Sequence, residues 1–131
     1  MSSLVSRGLF AQVETYFTEY LPKQRGASLH TVRAYRDALT LLLRFVADQR
    51  GRGVASLQLS DIDVDAVTHF LDHIELQRSN TAATRNCRRA AIRGFFKHLL
   101  RNDLAHSQQY MRVLAIPAKK ARQRPATYLE A

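Results

Sequence analysis

The side chains with the clearest chemical potential are arginines that recur along two predicted helices. The first helix carries Thr31, Arg33, Arg36 and Arg44. The second carries Thr84, Arg85, Asn86, Arg88, Arg89, Arg93 and Lys97. At 100° per residue, Asn86, Arg89, Arg93 and Lys97 fall within one polar arc. Guanidinium groups in such a row can donate hydrogen bonds to phosphates or to the edge of guanine, so the pattern predicts binding to duplex DNA.

No catalytic or metal-binding pattern accompanies these arginines. A Ser-His-Asp group, a paired-carboxylate site and a glycine-rich phosphate loop are all missing from the sequence. Asp61, Asp63 and Asp65 alternate at the predicted start of a helix, where carboxylates favour the positive end of the helix dipole better than they suit a metal. The only cysteine, Cys87, excludes an internal disulfide and a multi-cysteine zinc site. We therefore expect no metal, no cofactor and no catalysis by this chain itself.

The charge of the chain is unevenly distributed. The net charge is +9 over 131 residues, and residues 79–131 account for a net +9 while residues 51–78 are acidic at −3. Clustered cations favour a polyanion as partner. An anionic membrane fits less well, because the apolar helix faces are needed for the core and no apolar run approaches the ~20 residues that cross a bilayer. The sequence predicts a soluble, cytoplasmic protein that binds nucleic acid.

Periodic apolar residues predict a single all-α domain with four main helices and a short fifth. The predicted helices run from Leu9 to Leu21, from Ser28 to a stop at Gly51, from the Asp61–Asp65 region through Ile74, from a cap at 79–81 to about Arg101, and from Gln108 to Leu114. In the first helix, Phe10, Val13, Phe17 and Tyr20 form the expected buried stripe, and Gln12, Glu14 and Thr15 the polar face. The acidic third helix is expected to face away from DNA.

Each predicted contact has a simpler interpretation. A single helical arginine is more often solvated or paired at i,i+4 than bound to DNA, and Arg36 and Arg44 have Asp37 and Asp48 nearby. The arginines between 85 and 101 have no acidic residue on their own helix, which favours a counter-charge elsewhere. Replacing both Arg89 and Arg93 by alanine is therefore expected to abolish most duplex binding.

Two segments carry a family resemblance. They are S-L-H-T-V-R-A-Y-R-D-A-L (28–39) and A-T-R-N-C-R-R-A-A-I-R-G-F-F-K-H-L (83–99). Together with the order of the helices, they resemble the SAM-like, N-terminal core-binding domain of tyrosine recombinases and phage integrases of the Xer type, from about Phe10 to Ala118. The resemblance implies a helical bundle whose second and fourth helices contact double-stranded DNA, with one protomer per half-site in a recombinase tetramer.

The resemblance also implies where catalysis lies. In the family, DNA integration and recombination use a tyrosine nucleophile in a separate C-terminal domain, so we expect residues 1–116 to be the DNA-binding domain and residues 117–131 a basic linker toward a domain outside this chain. Lys119 and Lys120 are expected to follow the DNA backbone. His30 and Arg33 match the letters H-x-x-R of the family's catalytic box, but they lie at the start of a helix where that box does not belong. In isolation the domain is expected to be a monomer.

Two other functions stay open. A standalone helical module that binds an acidic protein or RNA would show the same basic faces. A helix-turn-helix repressor would need a turn of three or four residues, and the connection at 51–60 is too long for it.

Overall fold

Five α-helices joined by short turns make up the described part of the computed structural model, which covers residues 8–23, 28–77 and 81–119. The helices are α1 (Leu9–Thr15), α2 (Leu29–Arg50), α3 (Val64–Gln77), α4 (Ala82–Asn102) and α5 (Ser107–Leu114). No strand occurs within these three ranges. The prediction of an all-α domain with four main helices and a short fifth is confirmed.

The first helix continues past α1 in a changed geometry. A π-helical turn spans Tyr16–Tyr20 and a 3-10 turn spans Leu21–Lys23. Leu9, Gln12 and Tyr16 are buried, whereas Phe10 is 49% exposed. Phe10 was predicted to be buried and Gln12 to lie on the polar face, and both predictions were wrong. This segment has apolar residues on two overlapping stripes, and both reach the core: Phe17 of the predicted stripe is buried, and Tyr16 contacts Phe95 of α4.

Local signals fix both ends of α2. The Ser28 hydroxyl accepts a hydrogen bond from the Thr31 amide (3.1 Å), which satisfies one of the free amides of the first turn. Gly51 ends the helix in the left-handed conformation, with φ of 65°, which only glycine adopts at little cost. The long face of α2 that includes Leu39, Leu42 and Val46 is buried in the core.

The connection from α2 to α3 folds around a buried carboxylate. Asp61 accepts hydrogen bonds from the Gln58 amide (2.8 Å) and from Arg52 (3.1 Å). Asp63 accepts one from the Ala66 amide (2.9 Å) at the start of α3. These two carboxylates therefore organise the turn and the helix start, as the sequence predicted for a capping role.

The core lies where α4 packs on α2, α3 and α5, with Tyr16 of the first helical segment against Phe95. Ile92, Phe95, Phe96 and Leu99 of α4 are at most 1% exposed. The Thr81 hydroxyl caps the helix by accepting from the Thr84 amide (3.2 Å). Tyr35 packs at the edge of this core.

A buried carboxylate also joins α4 to α5. Asp103 is 1% exposed and accepts hydrogen bonds from the Tyr110 hydroxyl (2.7 Å) and from His106 (2.8 Å). Burial by itself raises the pKa of Asp103, but the hydrogen bonds from Tyr110 and His106 outweigh it and hold that pKa below its usual value. Burial of Tyr110, and next its hydrogen bond to Asp103, raise the pKa of the Tyr110 hydroxyl. The pair fixes the angle at which α5 returns along α4.

Candidate DNA interface

A groove of about 520 Å³ separates the N-terminal halves of α2 and α4. From α2 it is lined by His30, Thr31, Ala34, Tyr35, Asp37 and Ala38, and from α4 by Thr84, Cys87, Arg88, Ala90 and Ala91. Three of the predicted DNA-binding residues, Thr31, Thr84 and Arg88, therefore border one surface. We call this surface the α2–α4 groove.

Several predicted contact residues keep their charge free. Arg33, Arg44, Arg88 and Lys97 form no hydrogen bond or ion pair within residues 8–23, 28–77 and 81–119. Arg33, Arg44 and Lys97 are exposed, and Arg88 is partly exposed. The carboxylates of Asp37 and Asp48, which lie near Arg36 and Arg44 in sequence, take part in none of the ion pairs found there. These cations are available to an external anion.

Arg36 points away from the groove. Its guanidinium lies over the Phe17 ring, 5.3 Å from the centroid, on the side of α2 that faces α1. The side chain is still exposed. Arg101 at the far end of α4 makes the same kind of contact with Tyr20, at 5.1 Å, and donates a hydrogen bond to the Tyr20 hydroxyl. Both arginines help to hold the first helical segment.

Arg85 is buried, unlike the other predicted contacts. Its side chain is 9% exposed, and it lies 3.6 Å from carboxylate oxygens of both Asp72 and Glu75 on α3. The acidic helix thus supplies partners that α4 itself lacks. The sequence could not reveal this pairing, because the partners lie on a different helix and only packing brings them together.

Asn86, Arg89 and Arg93 lie on the other side of α4 from the groove and bind the chain that follows α5. The Arg89 Nε donates to the Ile116 carbonyl (2.6 Å), and Arg93 donates to the Leu114 carbonyl. Asn86 exchanges two hydrogen bonds with the backbone of Lys119, at 2.7 and 2.8 Å. Burial, and next the charges of Arg93 and Arg85, lower the pKa of Arg89. The predicted α4 residues therefore divide between two surfaces.

Lys119 marks the end of the described chain. Its ammonium group pairs with Glu75 at 2.6 Å, so it does not lie beside the groove cations. Lys120, the other lysine predicted to follow DNA, lies outside the described residues. Lys119 of the predicted linker is hydrogen-bonded to Asn86 of α4, and the boundary at residue 116 stays a prediction.

The one cysteine of the chain also borders the groove. Cys87 is exposed and lines it. Its neighbours on α4, Ala83 and Ala90, are exposed as well, so the helix face next to Arg88 is small and uncharged. A thiol at this point is a natural reporter for anything that fills the groove.

The described residues include neither a metal-binding cluster nor a membrane-spanning helix. No group of three or more histidine, cysteine or acidic side chains there is arranged to hold a metal ion. Likewise, none of the helices in that part of the chain is both long and apolar enough to span a bilayer.

Comparisons with known proteins agree with the fold and the resemblance. The family model described as the phage integrase N-terminal SAM-like domain matches residues 15–103. A protein of Sinorhizobium fredii, named as the integrase/recombinase y4rD, is 46% identical over 83% of this chain, and a second, y4rC, is 36% identical over 82%. The tyrosine recombinase XerC of Rhodospirillum centenum is 34% identical over 81%.

The matched region is only a part of these relatives. It spans 39% of y4rD, 32% of y4rC and 31% of the Rhodospirillum centenum XerC. No solved structure gives a significant match. The family model covers more than half of the chain. The chain therefore belongs to the phage integrase N-terminal SAM-like domain family.

Proposed function

We propose that this domain binds duplex DNA across the α2–α4 groove, as the DNA-binding domain of a site-specific tyrosine recombinase. The observation that carries the proposal is the unpaired charge of Arg88 in the groove and of Arg33 on the same helix as Thr31. An α-helix fits the major groove of DNA, and unpaired cations gain free energy by displacing condensed counterions from phosphates. Thr31 and Thr84 add hydroxyl groups that can bond phosphate oxygens.

The distribution of carboxylates supports the same surface. α2 and α4 carry four and six cations, against two carboxylates that are both on α2. The three carboxylates of α3 include Asp72 and Glu75, which are occupied by Arg85 and Lys119. A polyanion that approaches the groove therefore meets a surface with Asp37 as its one acidic lining residue among those described.

Duplex affinity as a function of salt tests the proposal. Each phosphate contact contributes about −0.9 to the slope of log affinity against log salt. In a fluorescence anisotropy titration, Arg33→Ala combined with Arg88→Ala should weaken binding by at least about tenfold and make the slope shallower by about two. The control is Arg112→Ala, which removes an exposed, unpaired cation from α5. The control should change affinity by less than about twofold.

Alkylation of Cys87 gives an independent test of location. Bound duplex should slow the reaction of the Cys87 thiol with iodoacetamide, because the thiol lines the groove. Equal losses of affinity in the groove variant and in the Arg112 control, with no protection of Cys87, would contradict the groove as the site. Binding to RNA or to an acidic peptide without any binding to duplex DNA would favour the standalone interaction module.

The recombinase role extends to the whole protein. It is supported by relatives named as integrases and recombinases, of which this domain spans two fifths or less. We expect the reading frame to continue past Ala131 into a domain that carries the nucleophilic tyrosine. A stop codon directly after Ala131 would contradict this part of the proposal.

A further inference from the structure

We propose that Asn86, Arg89 and Arg93 form a clamp that fixes the direction in which the chain leaves α5. We call residues 115–119 the α5 extension. Asn86 and Arg89 are then positioning residues for the extension, and Arg93 for the end of α5 from which it departs, while Arg33 and Arg88 contact DNA. The assignment of DNA contacts to one side of α4 and of chain positioning to the other rests on the proposed function. The hydrogen bonds to the extension do not.

The bonds from Asn86 carry the inference furthest. The amide nitrogen donates to the Lys119 carbonyl (2.7 Å), and the amide oxygen accepts from the Lys119 backbone N–H (2.8 Å). Two bonds to the backbone of one residue fix both its position and its orientation, much as a rung of a β-ladder does. Because they involve only the backbone of Lys119, they define a path for the chain without depending on its side chain.

The two arginines bind the end of α5 for a physical reason. The last carbonyls of a helix have no partner within the helix, and they form the negative end of its dipole. Arg93 donates to the carbonyl of Leu114, the last residue of α5, and Arg89 donates to that of Ile116 two residues later. Cations at this end are therefore favourable, and the arginines have acceptors that explain their place on α4 without DNA.

A further contact completes the hold on the extension. Lys119 Nζ lies 2.6 Å from Glu75 Oε2 on α3, and Ile116 is 7% exposed. The extension is thus held by polar bonds from α4, by an ion pair with α3 and by a buried side chain. A segment held at three points has a defined direction as it leaves the domain.

Hydrogen exchange at the Lys119 amide, followed by NMR in the chain of residues 1–131, tests the clamp. Asn86→Ala should accelerate this exchange about fivefold, the change expected for one lost hydrogen bond. Asn86→Asp keeps an acceptor for the Lys119 N–H and should restore part of the protection. Gln108→Ala, at an exposed residue of α5, is the control and should leave the exchange unchanged. Exchange in Asn86→Ala equal to that of the unsubstituted chain overturns the proposal.

Duplex affinity of the same variants separates the clamp from the DNA site. Asn86→Ala, and Arg89→Ala combined with Arg93→Ala, should change affinity far less than the Arg33 and Arg88 pair of substitutions. This contrasts with the expectation from sequence for Arg89 and Arg93. Strong loss of affinity in the clamp variants with normal Lys119 exchange overturns the clamp. If the groove variant binds duplex normally while Asn86→Ala still accelerates exchange, the groove proposal fails and the clamp is supported.

Discussion

At Gly94, two aromatic side chains approach the backbone of α4 closely. A Cβ atom there would lie 2.7 Å from the Tyr16 hydroxyl oxygen and 3.3 Å from Cε2 of Tyr35. Tyr16 is 1% exposed and cannot swing away. Gly94→Ala should lower the free energy of unfolding by up to about 2 kcal/mol, because an overpacking cost of roughly 1–3 kcal/mol is offset by a gain in helix propensity of about 1 kcal/mol. Urea denaturation measures this change.

Two further variants identify the cause. Tyr16→Phe removes the atom nearest to the added methyl group, so the double variant with Gly94→Ala should recover part of the lost stability. Gly53 has nothing within 4 Å of a built Cβ, and Gly53→Ala should be neutral or slightly stabilising. A stable Gly94→Ala protein would mean that Tyr16 can shift without cost.

His98 gives the fold a dependence on pH. Its ring packs on Tyr16 and Tyr20, with centroids 5.2 and 5.1 Å apart, and its Nε2 has no hydrogen-bond partner among the described residues. Burial lowers the pKa of His98 below 6.5. The unfolded chain therefore binds a proton at a higher pH than the folded chain does. The free energy of unfolding should fall as pH decreases below about 7, and the fall should end once pH drops below the folded pKa.

The variant His98→Phe should remove most of this dependence of the free energy of unfolding on pH. Denaturant melts at pH 7, 6 and 5 measure it, and His69→Gln is the control because His69 is exposed. A slope that survives in His98→Phe would assign the pH dependence to another group.

At the scale of elements, α3 and α4 are joined through the buried Arg85. Glu75, with 19% of its side chain exposed, forms ion pairs with both Arg85 and Lys119. Asp72 is 57% exposed and pairs with Arg85 alone among the described residues. Removing the less exposed partner leaves a buried cation less compensated. Glu75→Gln should therefore cost about 1–3 kcal/mol of unfolding free energy, and Asp72→Asn less than about 1 kcal/mol.

Urea unfolding of the two variants side by side makes this comparison. The amides are nearly the same size as the carboxylates, so packing changes little and charge is the variable. Equal losses of unfolding free energy in the two variants would show that the two carboxylates stabilise Arg85 to the same extent. The burial of Arg85 would then be balanced by other contacts.

At the scale of the molecule, net charge governs how copies of the chain meet. Among the described residues, the exposed large apolar side chains are Phe10, Leu29, Leu76, Leu104 and Met111. A chain with a net charge of +9 should repel its copies. We expect sedimentation equilibrium to give one species of 14.9 kDa without concentration dependence. A mass that rises with concentration would contradict this.

The sequence alone determined the helices, because their signals are local. Ser28, Gly51 and Thr81 act within three or four residues of the helix ends they define, and the apolar period of α2 and α4 defines their buried sides. The rows of arginine on these two helices were also visible, since helical spacing depends only on residue number. The first helical segment was less predictable, because its apolar residues lie on two overlapping stripes and its helical geometry changes at Tyr16.

Only the tertiary structure decided which cations are free. Arg85 and Arg88 are neighbours on α4 with the same charge, yet one is buried against α3 and the other lines the groove. Asn86, Arg89 and Arg93 find their acceptors 21 to 33 residues away along the chain. The turn of a helix sets the direction of a side chain relative to its own axis. What it meets there depends on how α3 and the α5 extension pack, and packing is decided by the whole core at once.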